Sequence, residues 1–112
     1  CSSFEAAEKM LDAALKLEQA GADMLLMECV PSALASRISE QPQIPTIGIG
    51  AGPGTDAQVL VLHDMLGIAT DYAPKFVKNF LSGSASIQAA IATYVEAVKS
   101  GSFPGPEHCY DH

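Results

Sequence analysis

The fold is decided at residues 23–31, where the sequence is DMLLMECVP. Its apolar side chains follow one another without regular alternation, which is typical of a parallel strand covered on both faces. The proline then ends the strand. A second apolar run, IPTIGIG, occupies residues 44–50 and leads into the turn-rich sequence AGPG at 51–54. We therefore expect two buried strands of one parallel sheet.

Helical patterns flank both strands. Apolar residues at helical spacing predict a helix over 4–20 that ends at Gly21. Ser32 is expected to cap a second helix over 33–41. The remaining elements are expected to be a short helix at 55–66 capped by Thr55 or Asp56, a brief strand at 67–70, and helices at 74–81 and 84–99. Residues 59–62 also suit a strand, so the helix at 55–66 has a competing interpretation.

This alternation of helices and strands predicts the α/β class with a parallel sheet. Three parallel strands do not close on themselves, so we expect this to be part of a larger sheet or barrel. The chain has 112 residues and starts at Cys1 instead of Met. We expect that start to be an internal position of a longer protein.

Composition excludes several function classes. The chain has 13 acidic and 6 basic side chains, for a net charge of −7, which argues against nucleic acid as a partner. No apolar run reaches the roughly 20 residues of a membrane span. The 3 cysteines are too few and too scattered for a disulfide framework or a zinc site. Cys29 is expected to be a small buried thiol, with a reactive nucleophile as the alternative.

Glu28 is the leading catalytic candidate because it lies at the carboxyl end of the first predicted strand. Ligands of parallel α/β folds gather at the carboxyl ends of the strands. A carboxylate that is partly removed from water there is a good general base. Alternatively, Glu28 turns outward, either to cap the helix at Ser32 or to pair with Arg37. The residues alone leave both possibilities open.

Other motifs give weaker signals. The glycines at 48, 50, 52 and 54 follow a strand, but Pro53 occupies the position where a dinucleotide fingerprint has its third glycine. Close approach of backbones explains them better than nucleotide binding. His63 beside Asp64, and His108 with His112, are not favoured as metal ligands. Lys75 and Lys78 are expected to be solvated charges near the start of a helix.

Five segments together resemble one enzyme family, ketopantoate hydroxymethyltransferase. They are LMECVP at 26–31, IPTIGIGAG at 44–52, DAQVLVLHD at 56–64, PKFVK at 74–78 and GSFPGPEH at 101–108. The resemblance runs in order through nearly the whole chain, and it is to the carboxyl-terminal part of the family. One departure is Ala57, where the family commonly has glycine.

The resemblance implies an architecture and an activity. Residues 1–112 would be the C-terminal part, about three β/α units, of a single (β/α)8 TIM barrel of the phosphoenolpyruvate mutase and isocitrate lyase type. The N-terminal half would be absent from this chain, and a separate chain could supply it. Such enzymes transfer a hydroxymethyl group from 5,10-methylenetetrahydrofolate to 3-methyl-2-oxobutanoate, giving ketopantoate for pantothenate and coenzyme A synthesis.

The resemblance also implies roles and partners. Glu28 matches the family's proton acceptor, and the ligands of the family's Mg²⁺ are expected in the missing N-terminal half. The whole enzyme is expected to be a cytoplasmic homo-oligomer without a membrane partner. The competing hypotheses are a related Mg²⁺-dependent 2-oxo acid lyase or mutase, a non-catalytic glycine-loop binding module, and an inactive fragment.

Overall fold

A small parallel sheet flanked by helices organises the chain. The structure, a computed structural model, describes residues 4–68 and 73–111. Its elements are α1 (Phe4–Gln19), β1 (Leu25–Glu28), α2 (Ser32–Glu40), β2 (Thr46–Ile49), β3 (Ala57–Gln58), α3 (Leu62–Met65), α4 (Ile87–Ser100) and a 3-10 turn (Pro106–His108). All the strand pairs are parallel, in the order β1-β2-β3. The predicted α/β class and the first two strands are confirmed.

The two faces of the sheet differ in what covers them. Leu25 and Met27 of β1 are buried against α1 and α2, in a core that includes Ile38. Leu26, which points to the other face, is 63% exposed. The prediction of a strand covered on both faces is therefore wrong for the part of the chain that the structure describes, where the helices that pack on β1 lie on one side of it.

No helix separates β2 from β3. Residues 50–56 cross over instead, lying along α2 so closely that a Cβ on Gly52 would meet the Ser32 Oγ at 2.5 Å. Asp56 closes the crossover, because its carboxylate accepts hydrogen bonds from the backbone N–H (2.9 Å) and the hydroxyl (3.1 Å) of the fully buried Thr46. These bonds place Ala57 and Gln58 beside β2, so residues predicted to start a helix form a strand.

The chain between β3 and α4 departs furthest from the sequence predictions. α3 has 4 residues, and neither Thr55 nor Asp56 caps it. Residues 67 and 68 are not in a strand, while the other two residues of the predicted strand lie outside the described chain. No helix forms at 74–81, because its backbone groups bond elsewhere: the Phe80 N–H donates to the Met65 carbonyl at 2.8 Å.

A second core lies under α4. The rings of Phe80, Tyr94 and Phe103 meet edge to face, with centroids 5.2 to 5.9 Å apart. α4 follows the N-cap Ser86 and is followed by Gly101 in a left-handed conformation, so the predicted helix is confirmed. Its apolar residues are divided between core and solvent, because Ala90 is buried while Ile87 is 54% exposed. Among the described residues, no helix is long and apolar enough to cross a membrane.

Candidate active site

Glu28 is the last residue of β1 and lies opposite Ile49 of β2. It is exposed on the same face as Leu26, the face that no described helix covers. Within the described chain its carboxylate forms no hydrogen bond or ion pair. Arg37 pairs with Glu8 instead, at 3.5 Å. The carboxylate is therefore open to a ligand at the carboxyl edge of the sheet.

Glu28 does not cap α2. The N-cap residue of that helix is Pro31, and no side chain caps it. Ser32, the predicted cap, is already the first residue of the helix, and its hydroxyl is buried without a hydrogen-bond partner in the described chain. The Ser32 N–H donates to the Tyr110 carbonyl at 2.9 Å. The prediction that Ser32 caps α2 is wrong, and neither outward role for Glu28 is found.

Cys29 makes a sharp turn directly after Glu28. Its φ is 55°, a left-handed conformation that residues other than glycine rarely adopt. Its N–H donates to the Ile49 carbonyl at 2.9 Å, so the turn stays attached to β2. Cys29 is exposed, and the prediction of a buried thiol is wrong. No sequence pattern indicated this turn, because cysteine is not a residue typical of left-handed positions.

Two distant segments reach the same edge of the sheet. The Phe76 ring lies against Gly50, which follows β2, and the carbonyl of Tyr110 lies at the start of α2. The Lys75 ammonium is 5.5 Å from the centroid of the Tyr110 ring, and that of Lys78 is 5.0 Å from the Phe80 ring. Both lysines are exposed, as expected for solvated charges, and each also approaches an aromatic ring. The segment that carries them is irregular, so the expected helix start is wrong.

An open groove runs beside the outer edge of β1. Met10, Ala13 and Leu17 of α1 line one side, and Leu26 and Glu28 of β1 line the other. Among the described residues no strand pairs with this edge of β1. The groove thus exposes apolar surface and unpaired strand backbone next to the candidate carboxylate.

The described residues do not fit a metal centre. No group of three or more His, Cys, Asp or Glu side chains comes together among them. His63 is exposed on α3, and His112 lies outside the described chain. The His108 Nδ1 accepts a hydrogen bond from the Gly105 N–H at 3.1 Å and lies 3.3 Å from a carboxylate oxygen of Glu107.

Buried hydroxyls elsewhere do not extend the site. The Tyr94 hydroxyl is buried in the second core and, in the described chain, has no hydrogen-bond partner. Burial raises the pKa of the Tyr94 phenol, since the charged form would lose its hydration. This group belongs to the aromatic core, and Glu28 remains the candidate that the strand position singles out.

The comparisons with known proteins agree on one enzyme family. The family model described as ketopantoate hydroxymethyltransferase matches residues 2–106. A protein of Hahella chejuensis named 3-methyl-2-oxobutanoate hydroxymethyltransferase 2 is 62% identical over 94% of this chain and 40% of its own length. The protein named 3-methyl-2-oxobutanoate hydroxymethyltransferase in Marinobacter nauticus is 57% identical over 95% of this chain and 40% of its own. The chain therefore spans about two fifths of the length of these relatives.

Proposed function

Because the chain belongs to the ketopantoate hydroxymethyltransferase family, we propose that it forms part of an enzyme that transfers a hydroxymethyl group to 3-methyl-2-oxobutanoate. The one-carbon donor is 5,10-methylenetetrahydrofolate, and the product is ketopantoate. The names of the relatives support a hydroxymethyl transfer. We further propose that the assembled enzyme is a cytoplasmic homo-oligomer, on the basis of the family resemblance alone.

The proposed architecture is a (β/α)8 barrel in which residues 1–112 form the C-terminal part. The parallel sheet supports this, with helices packed on one face of β1 and Leu26 exposed on the other. In a barrel the uncovered face of each strand points inward, and the strands on both sides are paired. The remaining part of the enzyme would pair with the free edge of β1 and cover Leu26. Masses measured under native and denaturing conditions distinguish whether this part belongs to the same chain or to a separate one.

The observation that carries the proposed mechanism is the position of Glu28. Its carboxylate lies at the carboxyl end of β1, on the face that would point into the barrel, with no partner in the described chain. Such a group can accept the proton from C3 of the 2-oxo acid. The resulting enolate carbon attacks the methylene unit of the folate, and water releases ketopantoate and tetrahydrofolate.

Magnesium is part of the family resemblance, but the residues described here do not form a site for it. In the proposed enzyme its ligands come from the rest of the protein. We assign this chain the proton transfer and the wall of the barrel beside it, and no step of the proposal is routed through the metal.

Replacing Glu28 by Gln tests this role in the full-length enzyme. The amide keeps the shape of the side chain but cannot accept the proton, so turnover should fall by about 10²-fold or more. Uptake of deuterium from solvent at C3 should disappear, while substrate binding measured by calorimetry persists. Glu40→Gln is the matched control, since Glu40 is exposed at the far end of α2.

Two results would contradict the proposal. Continued deuterium uptake at C3 in the Glu28→Gln enzyme would remove Glu28 as the proton acceptor. Cleavage of 2-oxo acids by the wild-type enzyme without one-carbon transfer from methylenetetrahydrofolate would assign it instead to the related lyases.

A further inference from the structure

We propose that Phe76 is a positioning residue for Glu28: its ring holds Gly50 and the left-handed turn at Cys29, and so fixes the direction in which β1 presents the carboxylate. The inference rests on the proposed role of Glu28 as proton acceptor. We refer to the three residues Cys29, Gly50 and Phe76 as the strand-end cluster.

The first part of the strand-end cluster is the turn that follows Glu28. Cys29 is the single non-glycine residue with a positive φ in the described chain, at 55°. Such a conformation persists only where the surroundings hold it. One restraint is the hydrogen bond from the Cys29 N–H to the Ile49 carbonyl, at 2.9 Å. Because the Cys29 amide is the peptide that follows the Glu28 Cα, movement of this turn would redirect the Glu28 side chain.

The second part is Gly50, against which both the turn and an aromatic ring pack. Its φ is +67°, and a Cβ built there would lie 2.8 Å from the Phe76 Cδ2 and 3.4 Å from the Cys29 nitrogen. The Phe76 ring and the Cys29 amide therefore approach Gly50 together. A shift of the ring would open space at the point where β1 and β2 end.

The third part is the anchoring of Phe76. The segment around it turns at Pro74, whose carbonyl accepts the Val77 N–H at 3.0 Å. Phe76 is half-buried and packs against the second core, which contains Phe80 and Phe103. The ring thus connects that core to the ends of β1 and β2, two parts of the chain that are distant in sequence.

The test replaces Phe76 by Leu in the full-length enzyme. Loss of the ring leaves the Cys29 turn less restrained, so kcat should fall about tenfold with KM changed less than twofold. The Cys29 amide should exchange its hydrogen about tenfold faster, measured by mass spectrometry or NMR on the folded protein. If the leucine variant does not fold, Phe76→Met leaves a longer, more adaptable side chain of similar volume and carries the same expectations.

Phe80→Leu is the matched control. Phe80 is 3% exposed in the centre of the aromatic core, where its ring contacts Tyr94, Phe103 and the Lys78 ammonium. This variant should unfold at a lower urea concentration than wild type, yet keep kcat and Cys29 exchange at a temperature where it is fully folded. If Phe80→Leu lowers kcat as much as Phe76→Leu does, Phe76 acts through general stability and the proposal is overturned.

The outcomes separate this inference from the proposed function. If Glu28→Gln abolishes C3 proton exchange while Phe76→Leu keeps kcat and slow Cys29 exchange, the positioning role fails and the role of Glu28 stands. If Glu28→Gln retains C3 exchange, the proposed function fails and Phe76 has no base to position, whatever the Cys29 amide shows. Loss of C3 exchange in the first variant, with lower kcat and faster Cys29 exchange in the second, supports both.

Discussion

At Gly52 the crossover between β2 and β3 touches the first turn of α2. Its φ is +78°, and a Cβ there would lie 2.5 Å from the Ser32 Oγ and 3.2 Å from the Ser32 Cα. Glycine is required twice over, for the backbone conformation and for the close approach. Gly52 and Gly54 therefore serve packing of the crossover on α2, whereas Gly48 approaches Thr55 and Gly50 approaches Phe76. Close approach, the role predicted for these glycines, is found at all four.

Replacing Gly52 by Ala should separate these two requirements. The conformation alone costs about 1 kcal/mol for alanine, and the contact with Ser32 adds about 1 to 3 kcal/mol of overpacking. Gly83→Ala is the control, because Gly83 has φ +83° and nothing within 4 Å of the added Cβ. Urea unfolding should show that Gly52→Ala lowers the free energy of unfolding more than Gly83→Ala does. Equal losses at the two positions would mean that the crossover can move away from α2.

Glu28 and Cys29 show what could be predicted at the level of single residues. The position of Glu28 at a strand end follows from the apolar run before it and from Pro31 after it. The turn at Cys29 does not, since its φ of 55° occurs where the Cys29 N–H bonds to the Ile49 carbonyl and where Gly50 approaches it closely. Local sequence locates the carboxylate, whereas its orientation depends on contacts between distant segments.

The two serines at helix starts behave differently. Ser86 is a true N-cap, whose hydroxyl accepts the Ala89 N–H at 3.0 Å. Ser32 stands one residue inside α2, with its hydroxyl buried against Gly52. The capping preference is the same for both side chains, but Pro31 occupies the cap position of α2.

Alanine substitutions at these two serines should therefore change the free energy of unfolding by different amounts or in opposite directions. Ser86→Ala removes a cap and should lower the free energy of unfolding by about 1 kcal/mol. Ser32→Ala removes a buried hydroxyl that has no partner in the described chain, so stability should stay constant or rise by up to about 1 kcal/mol. Ser82→Ala, at an exposed turn, is the neutral control for urea titration. A loss at Ser32 equal to that at Ser86 would show that Ser32 caps α2 after all.

Whole elements were predictable where one local pattern dominates. α1 and α4 have apolar residues at helical spacing and end at Gly21 and Gly101, and the first two strands are continuous apolar runs, the first of which is followed by Pro31. Residues 55–81 were not, because long-range bonds determine their structure: Asp56 with Thr46, and Phe80 with Met65. Ala57 stands where the family commonly has glycine. It does not disturb β3, since it is not among the residues with positive φ.

Among the described residues, the two cores leave apolar surface exposed in more than one place. The uncovered face of the sheet carries Leu26 and Glu28, and the outer edge of β1 has no strand beside it in the described chain. On α4, Ile91 and Val95 are exposed. Buried faces and edges are the rule for parallel sheets. The relatives are more than twice as long as this chain, and the proposed completion is a barrel whose interior would contain Leu26.

Leu26→Lys tests that completion in the full-length enzyme. Leu26 is 63% exposed in this structure, so a lysine in the same surroundings would change stability little. Inside a closed barrel an unpaired ammonium loses its hydration, and the free energy of unfolding should fall by at least about 3 kcal/mol. Leu26→Met, which retains the apolar volume, should cost less than about 1.5 kcal/mol. Urea unfolding of both variants measures these free energies. If the free energy of unfolding of the Leu26→Lys enzyme lies within about 0.5 kcal/mol of wild type, this face of the sheet is in water. The proposed barrel around Glu28 is then contradicted.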